Sequence, residues 1–212
     1  MLDPKLLDQF ANVAARAAYS SSLLKGKNDK IAADQAAVDS MRNYLNKIEM
    51  NGKIVIGEGE MDEAPMLYIG EKLGSGEGEI LDIAVDPLDG TTLTAKNLPN
   101  AISVIAVAEK DNLLQAPDTY MEKIAIGPNF PENIIDLDNT IEVNLKNIAE
   151  FKSVKTSDLT VCLLERERHD PIVRSLKKMK TNIKFISDGD VLGAIYTCID
   201  KFNVDLYVGI GG

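Results

Sequence analysis

The stretch Ile80-Leu81-Asp82-Ile83-Ala84-Val85-Asp86-Pro87-Leu88-Asp89-Gly90-Thr91-Thr92 decides the fold class, because an apolar run of strand character delivers two carboxylates, three residues apart, onto a Gly-Thr turn. The run predicts a buried strand. Pro87 predicts that the ladder stops after Asp86, and Gly90 predicts a helix start whose first N–H groups can approach an anion. Hard divalent cations take oxygen ligands, so Asp86 and Asp89 are candidate ligands for Mg²⁺ or Mn²⁺, with Thr91 orienting a water or touching phosphate. The competing reading is an Asp-Pro turn followed by an Asx-type cap, with no chemistry attached.

Upstream, Lys53-Ile54-Val55-Ile56-Gly57-Glu58-Gly59-Glu60 repeats the plan, an apolar strand ending in acids separated by glycine. Open α/β sheets present ligands beyond the carboxyl ends of their strands, so Glu58 and Asp86 converge if their strands are neighbours. Asp34 adds a third acid. It lies in Ile31–Ile48, where apolar residues recur at helical spacing, and its alternative role is that of an exposed acid favourable to the helix dipole.

Organisation reads as α/β throughout. A helix from Pro4 to Leu24, capped by Asp3, precedes a Lys-rich loop and the Asp34 helix. The Lys53 and Ile80 strands are expected to flank a helix near Ala64 to Leu73, and Asn100 to Ala108 suits another buried strand. The pattern breaks around Gly127 to Pro131. Thereafter a helix near Leu145, strands at Leu159–Leu164, Ile183–Ile186 and Asp205–Ile210, and helices at Asp170–Met179 and after Asp190 are expected. The division anticipated is a metal-binding subdomain, 1–155, and a partial substrate-binding subdomain, 156–212.

The formal net charge of -10 over 212 residues argues against nucleic acid or an anionic membrane as partner. No segment approaches the roughly 18 apolar residues of a membrane span. Two cysteines, Cys162 and Cys198, are too few for a disulfide framework, and each sits in an apolar run that suits a buried small hydrophobe. With no basic-then-apolar leader at the start, a reducing, cytoplasmic location is expected. His169 is the only histidine; a structural or capping role before Pro171 is preferred over that of a general base.

Asp34, the Gly57–Glu60 element and Asp86–Thr91 resemble the lithium-sensitive, metal-dependent sugar phosphatases that include inositol monophosphatases and fructose-1,6-bisphosphatases. The similarity is closest to class II fructose-1,6-bisphosphatases of the GlpX type. It extends through Ile56–Glu71, Ala116–Lys123, Arg168-His169-Asp170, Ser187–Asp190 and Tyr207–Gly212. The resemblance implies an α/β layered sandwich of sheets and helices, with an incomplete second subdomain. It also implies metal-dependent hydrolysis of the 1-phosphate of fructose 1,6-bisphosphate with Mn²⁺ or Mg²⁺, in a protein that forms a homo-oligomer. Carried over residue by residue, Asp34, Glu58, Asp86 and Asp89 match metal ligands, Glu60 an outer partner, and Thr91 the residue that helps activate water, with Asp34 or a neighbouring carboxylate as acceptor. Asp89, Gly90 and Thr91 border the scissile phosphate. Tyr120, Arg166, Arg168, Asp188, Gly189, Asp190 and Gly212 match substrate-binding positions.

Two departures stand out. Family members continue after the Gly-Ile-Gly-Gly string with an Ala-Pro-Glu-Gly element whose Glu is a further metal ligand, whereas this sequence stops at Gly212, so a fragment is expected. Glu165 and Glu167 also place acids beside the two arginines. Sedoheptulose 1,7-bisphosphate as substrate, a non-catalytic sugar-phosphate-binding paralogue, and a haloacid-dehalogenase-type aspartyl-phosphate mechanism remain alternatives, the last disfavoured because its two aspartates stand two apart rather than three.

Overall fold

The computed structural model describes residues 3–59, 66–115 and 119–211. They group into two compact units, 1–118 and 119–212. Each unit carries one four-stranded sheet among the described residues.

In the first unit, α1 (Pro4–Ser22) begins where Asp3 accepts from the Lys5 N–H, and buries Leu6, Phe10, Val13, Ala17 and Ser21 along one stripe. The helix α2 (Lys30–Leu45) is capped by Asp29, which accepts from Ala32 N–H, and buries Ala33, Ala37, Val38, Met41 and Leu45. Small residues at Ala17, Ala33 and Ala37, all fully buried, let the two backbones approach closely. The sheet beside them comprises β1 (Met50–Ile56), β2 (Lys72–Leu73), β3 (Glu79–Asp89) and β4 (Ile102–Glu109), in the order β2-β1-β3-β4. Its apolar face, including Met50, Ile54, Leu81, Ile83 and Val85, joins the helices in one core.

Pro87 does not stop the ladder. β3 pairs with β4 through Asp86 opposite Val104 and resumes at Asp89 opposite Ile102, so three steps on β3 face two on β4. A proline donates no hydrogen bond, and the bulge is where a strand tolerates that loss. Gly90 then turns at φ 93° and opens the short helix α3 (Thr91–Ala95). The helix expected near Ala64–Leu73 is not formed by its described part: Leu67 has φ 56°, and Lys72–Leu73 is β2, paired antiparallel to β1. The reason is Glu71, whose buried carboxylate receives Arg42 Nε at 2.6 Å and the Leu67 N–H, closing a tight loop instead of a helical turn.

The second unit contains β5 (Met121–Ala125), α4 (Ile141–Lys152), β6 (Thr160–Leu164), α5 (Asp170–Met179), β7 (Asn182–Ile186), α6 (Asp190–Ile195) and β8 (Leu206–Gly211). The sheet order is β5-β8-β6-β7, with β8, β6 and β7 parallel and β5 antiparallel at the edge. Val161 and Leu163 face the cluster that holds Leu145 and Ile148 of α4 and Leu176 of α5, whereas Cys162 faces Tyr196, Val204 and Tyr207. Both faces of β6 are therefore covered, which explains its unbroken apolar run. The helix α4, which the sequence reading places before the division at 155, packs its buried face inside this unit. Cys162 is buried as expected and its thiol is pushed up to about 11 by burial. Cys198 is exposed, a correction to the apolar-run reading, because it lies on a 3-10 turn after α6 rather than within a strand.

Asp205 joins α4, β6 and β8: its buried carboxylate pairs with Lys152 and accepts from Thr160 N–H at 2.7 Å. Replacing it by Ala strands a partly buried N–H and one end of a half-exposed ion pair. Asp205→Ala is expected to destabilise the second unit by about 2 kcal/mol in urea denaturation, whereas Lys152→Ala, at the screened end, costs under about 1 kcal/mol. Equal losses would mean that the ion pair, not the Thr160 bond, carries the stabilisation.

Candidate functional site

Along the parallel pair β1 and β3, Ile56 stands opposite Ala84. Glu58 and Asp86 follow each by two residues, so two carboxylates leave neighbouring strands on the same edge of the sheet. The Asp86 bulge then brings Asp89 and the Gly90 turn to that edge. Asp34, on the first turns of α2, adds a helix-borne carboxyl that burial pushes above the ordinary range.

Asp86 shows that these acids share a neighbourhood. Its carboxyl is pushed up to about 8, first by burial, then by the negative charges of Asp89 and Glu58 and more weakly by that of Asp34, against the Leu88 N–H that donates to it at 3.1 Å. Each of the other three acids is thus near enough for its charge to be felt there. Among the described residues, no three His, Cys, Asp or Glu side chains are gathered tightly enough to hold a metal ion as they stand. The acids are in electrostatic range rather than in a closed coordination shell, a spacing that mutual repulsion of carboxylates favours. As a donor set they fit a hard divalent cation: all oxygen, all acidic, and around a partly buried centre. Glu60 lies outside the described residues.

Glu58 owes its position to a contact the sequence hid. A Cβ on Gly57 would fall 2.0 Å from the Leu67 carbonyl oxygen, which itself accepts from Glu58 N–H at 3.0 Å. Arg42 and Glu71 hold the loop that carries Leu67. Gly57→Ala must push the Leu67 segment and Glu58 apart, so it is expected to weaken Mn²⁺ binding about tenfold in calorimetry. Wild-type affinity in a folded Gly57→Ala chain would remove Glu58 from the ligand set.

The sequence-predicted substrate residues of the second unit likewise gather at the carboxyl ends of three parallel strands, β6, β7 and β8. Arg166, after β6, donates to the carbonyls of Glu165 and Ser187, both at 2.9 Å, and so ties the end of β6 to the end of β7. Arg168 donates through Nε to the Ile210 carbonyl at 2.8 Å and stacks over the Tyr120 ring at 4.9 Å. Gly189 caps α6 at φ 82°, between Asp188 and Asp190, and an Asp190 carboxylate oxygen lies 2.9 Å from where a Cβ on Gly211 would stand. Gly212 lies outside the described residues. His169 makes no cap bond to α5; its ring is buried and bonded to main-chain atoms on either side.

Residues 4–212 match the family described as bacterial fructose-1,6-bisphosphatase, glpX-encoded. A relative from Haemophilus influenzae named fructose-1,6-bisphosphatase class 2 is 49% identical over 204 residues, 96% of this chain and 61% of its own length. An Escherichia coli K12 relative named fructose-1,6-bisphosphatase 1 class 2 is 45% identical over 208 residues, 98% of this chain and 62% of the relative. The chain thus spans about 61% of the length of the curated relatives it matches.

Proposed function

This chain belongs to the glpX-encoded bacterial fructose-1,6-bisphosphatase family, and on that premise we propose that it serves the metal-dependent hydrolysis of the 1-phosphate of fructose 1,6-bisphosphate, yielding fructose 6-phosphate and phosphate. The observation that carries the reading is the placement of Glu58 and Asp86 at the ends of the parallel neighbours β1 and β3, with the bulge bringing Asp89 to the same edge. Asp34, Glu58, Asp86 and Asp89 would hold Mn²⁺ or Mg²⁺, which when bound would polarise the phosphate and acidify a water. Thr91, which follows the Gly90 turn, would orient the attacking water, with Asp34 or a neighbouring carboxylate as proton acceptor. Asp89, Gly90 and Thr91 border the scissile phosphate. Arg166 and Arg168 supply charge-assisted donors for the distal phosphate, while Tyr120, Asp188, Gly189, Asp190 and Gly212 contact the sugar. The setting is a cytoplasmic gluconeogenic step carried out by a homo-oligomer. No described helix is long and apolar enough to cross a membrane.

The test is phosphate release with and without chelator. EDTA should abolish activity, Mn²⁺ or Mg²⁺ should restore it, and Mn²⁺ should raise the melting temperature of the metal-free chain. Activity that survives EDTA overturns the mechanism. Sugar bisphosphate binding without phosphate release under any divalent ion would leave the non-catalytic paralogue instead.

A further inference from the structure

His169 is fully buried and is the only histidine of the chain. It ends the 3-10 turn Glu167–His169 that follows β6. Its Nδ1 lies 2.8 Å from the Leu164 carbonyl, and its Nε2 accepts from the Ile210 N–H at 2.9 Å. A carbonyl only accepts and an amide N–H only donates, so the two partners together require a neutral imidazole with its proton on Nδ1. Gly209 of β8 packs beside the ring: a Cβ there would be in ordinary van der Waals contact with Cε1, at 3.5 Å.

What the ring spans matters more than its burial. The ladder between β6 and β8 consists of two pairs, Val161 with Leu206 and Cys162 with Tyr207. Past Tyr207 the ladder between them ends. The imidazole bridges the gap from Leu164 at the end of β6 to Ile210 near the end of β8, standing in for the missing rungs. Arg168, the preceding residue, takes the other polar group of Ile210, its carbonyl. Two consecutive side chains therefore clamp one residue of β8 through the peptide groups on either side of it, and the Arg168 guanidinium, already stacked on Tyr120, is aimed by that clamp.

We propose that His169 is a positioning residue for substrate: its Nδ1–H imidazole holds the end of β8 so that the Ile210 carbonyl orients the Arg168 guanidinium for a phosphate. The inference rests on the reading of Arg168 as a substrate contact.

A single histidine makes the test direct, because the side-chain ¹⁵N spectrum contains one imidazole. In the wild-type chain the Nδ1–H tautomer should appear, and the Nε2 resonance should move as fructose 1,6-bisphosphate is added; a resonance unmoved at saturation overturns the proposal. His169→Gln, whose amide carries both a donor and an acceptor, should bind within about twofold of wild type. His169→Phe fills the space and strands both main-chain groups, so the dissociation constant should rise roughly tenfold. In an Arg168→Ala background the two variants should no longer differ. A folded His169→Phe chain with wild-type affinity, or a loss that persists undiminished without Arg168, overturns the proposal. If His169→Phe does not fold, the Gln variant and the wild-type titration decide. If Arg168→Ala leaves binding intact, the assignment of Arg168 itself fails, and the proposal with it, even where the tautomer is as expected.

Discussion

Asp86→Asn is expected to lower kcat for phosphate release by about 10²–10³-fold and to weaken Mn²⁺ binding by on the order of tenfold or more, while making the metal-free chain more stable. The opposite signs follow from one fact. Asp86 is partly buried within electrostatic range of three other acids, and in the absence of a cation its carboxyl is pushed up to about 8. An unfolded chain would ionise it near the ordinary carboxylate value of about 4. Between those two values the native chain binds a proton that the unfolded chain does not, so this group's contribution to stability falls as pH rises through that window. Asn imitates the protonated acid and keeps an oxygen for the Leu88 N–H, which donates at 3.1 Å. In EDTA, then, the variant and wild type should melt together near pH 4, and the variant should gain about 1–3 kcal/mol, several degrees, by pH 8 or above. Added Mn²⁺ should reverse the order. A variant that melts below wild type at pH 8 in EDTA would show that Asp86 does not carry the repulsion assigned to it.

Arg168→Ala is expected to raise KM by about 10–100-fold and to leave kcat within roughly threefold, because a distal phosphate is gripped equally in the ground and transition states. Lysine should not rescue it. The Nε bond to Ile210 and the flat stacking on Tyr120 belong to a guanidinium, and an ammonium reproduces neither. A kcat loss as deep as that of Asp86→Asn with KM unchanged would move Arg168 from holding substrate to stabilising the reaction itself.

Much of the candidate site is legible along the chain because its acids sit at the ends of strongly patterned elements. Glu58 and Asp86 follow apolar strand runs, Asp34 rides an amphipathic helix, and Gly90 announces a turn that only φ above zero satisfies. The residues proposed to hold substrate announce themselves less well. Arg166 and Arg168 look like an ordinary solvated charge run until β7 and β8 bring Ser187 and Ile210 beneath them.

The sequence by itself determined most of the helices and strands, though not β2 or β5, together with the glycine turns and the acidic residues offered at strand ends, because periodicity and turn chemistry act over a few neighbouring residues. Only the tertiary structure decided the rest: that β1 and β3 are parallel neighbours, that Pro87 sits in a bulge rather than ending β3, and that Gly57 must be bare to admit the Leu67 carbonyl. It likewise turned Glu71 into the buried partner of Arg42 and His169 into the bridge from Leu164 to Ile210. These outcomes depend on which groups meet across 29 or 41 residues of chain. A buried donor or acceptor takes whatever partner the packing of apolar faces brings to it, and no local pattern names that partner in advance.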